Sequence, residues 1–349
     1  MCNYKNLLPM KKTLSIAAAL VIMISCKKES TEQDFSNNPI GEKSELLTKA
    51  SNFFKSVSTV PEENIPQEKI DLGKKLFYDK TLSKNGTISC NSCHNLSTFG
   101  VDNKSVSEGD TKELGVRNSP TVIYSSLHAM QFWDGRAKNV EEQAKGPLLN
   151  PVEHSIPNEA FLEKKLRSIP EYQALFKKAY PKDKEPITFD NLANAIGAFE
   201  RKLIPKSKFD DYLDGNESAL NDQQKKGLNS FIDNGCITCH GGVALGGQMF
   251  QKFGVYGDYS KMTGSKKLDR GLYDISKKEG DQFLFKVPSL RNVEKTAPYF
   301  HDGSVTSLKE SIKIMGKLQL NKDIPDNEVN DMVAFLKTLT ADADARYKK

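Results

Sequence analysis

The sequence has no spare cysteine for a disulfide, little alternation of apolar and polar residues, and no strong charge of either sign. Each lack excludes something. Of six cysteines, four lie in two short repeats described below, Cys26 closes an N-terminal apolar run, and Cys2 precedes the expected start at Met10. A disulfide-stapled framework is excluded, although an exported chain could form one. The formal net charge is only +5 over 349 residues, with no basic stripe interleaved with aromatics, so nucleic acid is not an expected partner. The scarcity of strand-like alternation points to a mainly α fold. With 38% hydrophobic and 27% charged residues the chain is globular, and its length suits roughly two domains.

The apolar run "TLSIAAALVIMIS", preceded by Lys11 and Lys12, is too short for a membrane anchor and reads as an export signal. It ends at Met23-Ile24-Ser25-Cys26, which resembles a bacterial lipoprotein signal and makes Cys26 the expected lipidation site. Residues 1–26 are then the signal, and the polar stretch 27–50 a tether. The expected location is the periplasm, with membrane contact through the lipid alone.

Helical spacing dominates the rest. In "NLANAIGAFERKL", Leu192, Ala195, Ile196, Phe199 and Leu203 share one face. "TSLKESIKIMG" places Ser307 and Glu310 in capping-box spacing and offers Gly316 as a stop. "DNEVNDMVAFLKTL" repeats the period with Val329, Met332, Val333 and Leu336.

Against this background two stretches stand out: "SCNSCHNLSTFG", with Cys90, Cys93 and His94, and "GCITCHGG", with Cys236, Cys239 and His240. Each follows a short amphipathic stretch, "IDLGKKLFYDKTL" and "QQKKGLNSFIDNG", so the unit is duplicated. Two thiols two residues apart can each form a thioether to one vinyl group of a haem, and the adjacent histidine then reaches the iron. Four cysteines could instead hold a structural zinc, but zinc does not account for a histidine directly after each pair. Two covalent c-type haems are expected, with His94 and His240 on the irons. Export agrees, because such haems are attached outside the cytoplasm. The segment "IPKSKFDDYLDGNES" lies between the units and sets a boundary near residue 208, giving an N-terminal haem domain at 51–208 and a C-terminal one at 209–343.

From about residue 61 to 340 the chain resembles the bacterial di-haem cytochrome c peroxidases. The resemblance is carried by "SCNSCHNLSTFGVDN", "RNSPTVIYSSLHAMQFWDGRA", "EEQAKGPLLNPVE", "CITCHGG", "FKVPSLRNVEKTAPYFHDG" and "IMGKLQL". It implies two cytochrome c-like domains, a low-potential peroxidatic haem on His94, and a high-potential electron-transferring haem on His240 with Met315 as its second ligand. It implies that Glu153 is the acid/base residue, moving a proton between the two peroxide oxygens, that Gln143 lines the same pocket, and that Trp133, the single tryptophan, helps electrons cross. It further implies a calcium ion held by Asn118, Thr296 and the Pro298 carbonyl, and a structural role for His301. The implied partners are hydrogen peroxide and a small electron donor, a cytochrome c or cupredoxin. Members of the family are often homodimers.

One departure is informative. Many members carry a histidine that caps the peroxidatic iron until the second haem is reduced. Counting back from Asn118, its place is taken by Asp110, read as a solvated loop acid, and no histidine lies between His94 and His128. The expectation is an enzyme open without prior reduction, with His154 or His128 as the alternative caps. Two other readings use the same motifs: a di-haem oxidase that modifies a partner protein, which uses a tyrosine where this chain has Met315, and a plain electron carrier, which needs a strong second ligand on the first haem.

Overall fold

The computed structural model describes residues 43–349; Cys26, the signal and most of the expected tether lie outside the described residues. The first half contains α1 (Glu45–Phe53), α2 (Gln67–Tyr78), the single turn α3 (Cys90–Cys93), α4 (Val140–Leu149), α5 (Glu159–Arg167), α6 (Pro170–Ala179) and α7 (Phe189–Glu200). The second contains α8 (Lys208–Leu213), α9 (Asp222–Asp233), α10 (Tyr259–Thr263), α11 (Tyr273–Ser276), α12 (Leu308–Leu320) and α13 (Asp326–Lys337). Strands β1 (Phe250–Lys252) and β2 (Leu284–Lys286) form one small antiparallel ribbon, with Phe250 opposite Lys286. The fold is mainly helical, as the scarcity of alternation predicts. No described helix is long and apolar enough to cross a membrane.

The duplication seen in sequence has a structural counterpart. The helix before each Cys-Cys-His motif crosses a later helix: α2 packs on α7, and α9 on α13. Both crossings are made by a glycine. A Cβ on Gly73 would lie 1.8 Å from the Ala195 carbonyl oxygen, and one on Gly227 would lie 1.8 Å from that of Asp331. Only a residue without a side chain lets the two backbones approach so closely.

The apolar periodicities bury as the pattern requires. Leu72, Leu76, Leu192, Ala195 and Ile196 join helices α4 to α6 in one cluster. Phe209, Leu228, Phe231, Val329, Met332 and Phe335 form another. A third, with Phe77, Leu96, Ile123, Tyr124 and Phe199, lies beside the first motif.

Two stretches read from composition alone acquire local structure, and one helix stop moves. Residues 45–53, counted mostly as tether, form α1, whose Leu46, Leu47 and Ala50 pack into the cluster of the second half. The segment near residue 208 is helix α8, capped by Ser207, and it buries Phe209, Asp210 and Tyr212. Gly316 does not stop α12; the helix runs on to Leu320 and ends at a left-handed Asn321. Gly316 is buried inside the helix because Ile324 packs against it, 2.8 Å from where a Cβ would be.

Candidate functional site

The first motif is a single helical turn. Ser89 and Ser92 cap its start reciprocally, and the His94 amide closes it by donating to the Cys90 carbonyl at 2.9 Å. The second is a 3-10 turn entered through Gly235 at φ 89°, with the His240 amide donating to the Cys236 carbonyl at 3.0 Å. Each turn carries its two cysteines, with the histidine directly after the second. The four thiols are unpaired. Burial pushes Cys93 and Cys236 up to about 11, and raises Cys90 as well.

The two imidazoles are oriented alike. His94 Nδ1 lies 3.0 Å from the Pro120 carbonyl, and His240 Nδ1 lies 3.2 Å from that of Leu245. A carbonyl accepts only from a protonated nitrogen, so Nδ1 carries the hydrogen and Nε2 keeps its lone pair. Burial lowers both pKa values, His240 to about 4, so both rings are neutral at pH 7. A neutral imidazole with a free Nε2, beside two unpaired thiols, is the donor set that a c-type haem takes.

Glu153 is half-buried just beyond α4, which carries Gln143. Its amide donates to the Asn150 carbonyl at 3.0 Å, and its Oε1 accepts from Asn150 Nδ2 at 2.6 Å. Burial raises its pKa against the opposing pull of Asn150 and the Arg136 charge. His154 is buried, with Nδ1 3.0 Å from the Leu82 carbonyl.

Asp110 is no solvated loop acid. It is 3% exposed, and its carboxylate accepts from the Asn85 amide at 2.7 Å, the Thr87 amide at 3.1 Å and the Thr87 hydroxyl at 2.7 Å. Its own amide donates to the Glu153 carbonyl at 2.8 Å. Asp110 thus ties the turn leading into Cys90 to the backbone that carries Glu153.

Trp133 bridges the halves of the chain. Its indole Nε1 donates to the Asn118 carbonyl at 2.9 Å, and its own carbonyl accepts from the Lys286 amide at 2.8 Å. Met315, on α12, packs with Trp133 against the cluster of Phe253, Tyr259, Phe285 and Leu318. His301 is buried and stacks on Phe285 with ring centroids 4.3 Å apart. Asn118 is a neighbour of the segment with Thr296 and Pro298: its amide donates to the His301 carbonyl at 2.7 Å. Its Nδ2 donates to the Lys104 carbonyl at 2.8 Å, which leaves Oδ1 as the acceptor side.

Several residues at these sites escaped sequence reasoning. Asp134 is shared by Arg117 and Arg136, and Arg117 also grips Asp269 at 2.6 Å. Glu200 is buried beside another acid, Glu141. Lys286 is buried against His128. Only "FWDGR", with Asp and Arg beside the tryptophan, offered a signal.

A family model for di-haem cytochrome c peroxidases matches residues 67–218. Cytochrome c551 peroxidase of Pseudomonas aeruginosa is 45% identical over 310 residues, covering 86% of this chain and 88% of that protein. Cytochrome c551 peroxidase of Nitrosomonas europaea is 47% identical over 273 residues, covering 78% and 80%. Among solved structures, a MauG-like protein associated with microbial copper homeostasis superposes with a TM-score of 0.74 at 33% identity, covering 84% of this chain and 95% of that one. The chain belongs to the di-haem cytochrome c peroxidase family.

Proposed function

We propose that this protein is an exported di-haem cytochrome c peroxidase that reduces hydrogen peroxide to water with electrons from a small donor protein. The observation that carries the proposal is the 45% identity to a cytochrome c551 peroxidase across 86% of the chain. The matched orientation of His94 and His240 supports it. Cys90 and Cys93 would hold one haem, Cys236 and Cys239 the other, with the two histidines on the irons and Met315 completing the second. When bound, the haems supply the redox chemistry, one facing peroxide and the other relaying electrons.

The chain's own residues supply the proton handling. Glu153 takes a proton from one peroxide oxygen and returns it to the other, which departs as water. Its raised pKa suits both halves of that exchange. The Asn150 amide group fixes one carboxylate oxygen and leaves the other free, and Gln143 lines the pocket. Per peroxide, two protons and two electrons are consumed and two waters leave. Trp133, bonded to both halves of the chain, lies on the proposed electron route. Asn118, Thr296 and Pro298 would hold calcium through oxygen atoms. Residues 51–208 and 209–343 serve as the peroxidatic and electron-transfer domains, and Cys26 carries the lipid in the periplasm.

The first site is open without prior reduction. Asp110 supports this, because its carboxylate is held by Asn85 and Thr87 and is not available elsewhere. The partner-modifying reading finds its support in the MauG-like structure, at the lower identity of 33%.

The test is steady-state oxidation of a reduced small cytochrome c by hydrogen peroxide, comparing the haem-loaded protein with E153Q. Turnover is expected to fall by about 100- to 10,000-fold in the variant with both haems retained. Equal turnover would remove Glu153 from the mechanism, and no turnover by the parent protein would overturn the peroxidase reading.

A further inference from the structure

Lys286 is 5% exposed and enters no ion pair among the described residues. Its ammonium has one polar neighbour, His128 Nδ1, at 3.2 Å. The other ring nitrogen of His128, Nε2, is buried and has no partner. With Nδ1 accepting from the lysine, Nε2 carries the hydrogen, so two donors sit side by side with no anion hydrogen-bonded to either. The nearby acids are already engaged. Asp134 binds Arg117 and Arg136, and Asp269 binds Arg117. Neither of these carboxylates forms an ion pair with Lys286. A buried lysine and a buried N–H left in this way are each unfavourable by themselves. Together they define a site for a carboxylate.

Its position identifies the carboxylate. The Gly247 amide donates to the Val287 carbonyl at 2.7 Å, and the Ala129 amide donates to the Gly247 carbonyl at 3.0 Å. A Cβ on Gly247 would lie 2.4 Å from the His128 ring. Gly247 ends the loop that begins at His240, and Leu245 within that loop orients the His240 ring. The pair is built onto the backbone of the second Cys-Cys-His motif. We propose that Lys286 and His128 bind a propionate side chain of the haem attached at Cys236 and Cys239. This rests on the reading of that motif as a haem site.

A fixed cation beside the propionate favours the reduced, less positive haem and raises its midpoint potential. The test is an anaerobic spectroelectrochemical titration of the full haem-loaded protein and of K286M, K286R and H128N. K286M is expected to shift the reduction equilibrium of the second haem toward the oxidised form by about tenfold, about 59 mV for one electron. K286R is expected to stay near the parent value, and H128N to move the same way by less. If K286M fails to load haem, H128N against the parent decides the matter, and an unmoved potential overturns the proposal. A shift confined to the first haem overturns the assignment. A change of spin state in H128N would make His128 an iron ligand and refute the pair as well. Absence of covalent haem in the parent, by pyridine haemochrome assay, would sink the haem reading itself; covalent haem with unmoved potentials sinks only this proposal.

Discussion

Replacing Asp110 should loosen the wall of the first site. Burial pushes this carboxyl up, but the Thr87 hydroxyl, the Asn85 amide and further bonds from Ser83 and Thr87 outweigh it, and the pKa falls from 3.8 to about 2. A fall from 3.8 to about 2 corresponds to about 2.4 kcal/mol of preference for the charged form in the folded state. Asn85 and Thr87 are themselves exposed, so water recovers part of this, and about 1–2.5 kcal/mol is the expected loss in D110N at pH 7. D110A should lose at least as much, since the two amides then lack any acceptor.

The sign fixes the pH window. A depressed carboxyl pKa stabilises the fold above its unfolded value, near 4, and that contribution is lost as pH falls toward 2. The assay is urea unfolding of parent and D110N at pH 7, 5, 3.5 and 2.5. The gap should be full at pH 7 and 5 and shrink below 4. A gap that does not change with pH would refute the charge-based account. Low-temperature EPR of the oxidised, haem-loaded parent completes the test. One high-spin and one low-spin ferric signal are expected for an open first site; two low-spin signals would mean that His154 or His128 caps it.

Glu200 gives the opposite pH dependence. Burial and then the neighbouring Glu141 raise it to about 8, so its contribution is full below pH 4.5 and lost as pH rises through 8, at most about 4–5 kcal/mol. E200Q should flatten that decline between pH 5 and 9 in urea unfolding, and an unchanged slope would show that Glu200 is not its source. R291A should destabilise by about 3–5 kcal/mol, because Arg291 and Asp210 are both fully buried and the lone carboxylate would remain; a loss below about 1 kcal/mol would contradict this. G73A should cost about 1–3 kcal/mol, since its methyl group would meet the Ala195 backbone 1.8 Å away. An unchanged denaturation midpoint in G73A would mean that the α2–α7 crossing yields freely.

What was legible in the sequence was whatever depends on local spacing. The two Cys-Cys-His turns, the amphipathic faces of α7 and α13, and the duplication itself all follow from residues a few positions apart. The interactions that were missed join residues far apart in the chain. Asp110 looked like a solvated acid because nothing near it in sequence explains burial; its partners are Asn85, Thr87 and the Glu153 backbone. Nothing near Lys286 in the sequence points to its burial against His128, 158 positions away. Gly316 was read as a stop because glycine ends helices more often than it fills them, and only packing against Ile324 reverses that preference.

The duplicated halves differ where their chemistry should differ. Both motifs fix a neutral histidine by the same carbonyl device. Beyond that the surroundings diverge. Met315 packs against the hydrophobic cluster of Phe253, Tyr259, Phe285 and Leu318. Glu153 sits in a polar turn, half-buried, with its pKa raised and its backbone tied to Asp110. An apolar setting changes little with redox state and suits the relay of electrons. A raised carboxyl held at a defined place suits proton transfer. Trp133 links the two, bonded through its indole to Asn118 and through its carbonyl to Lys286. If Lys286 also holds a propionate of the second haem, the residue beside that tryptophan sets the potential from which electrons leave for the first site.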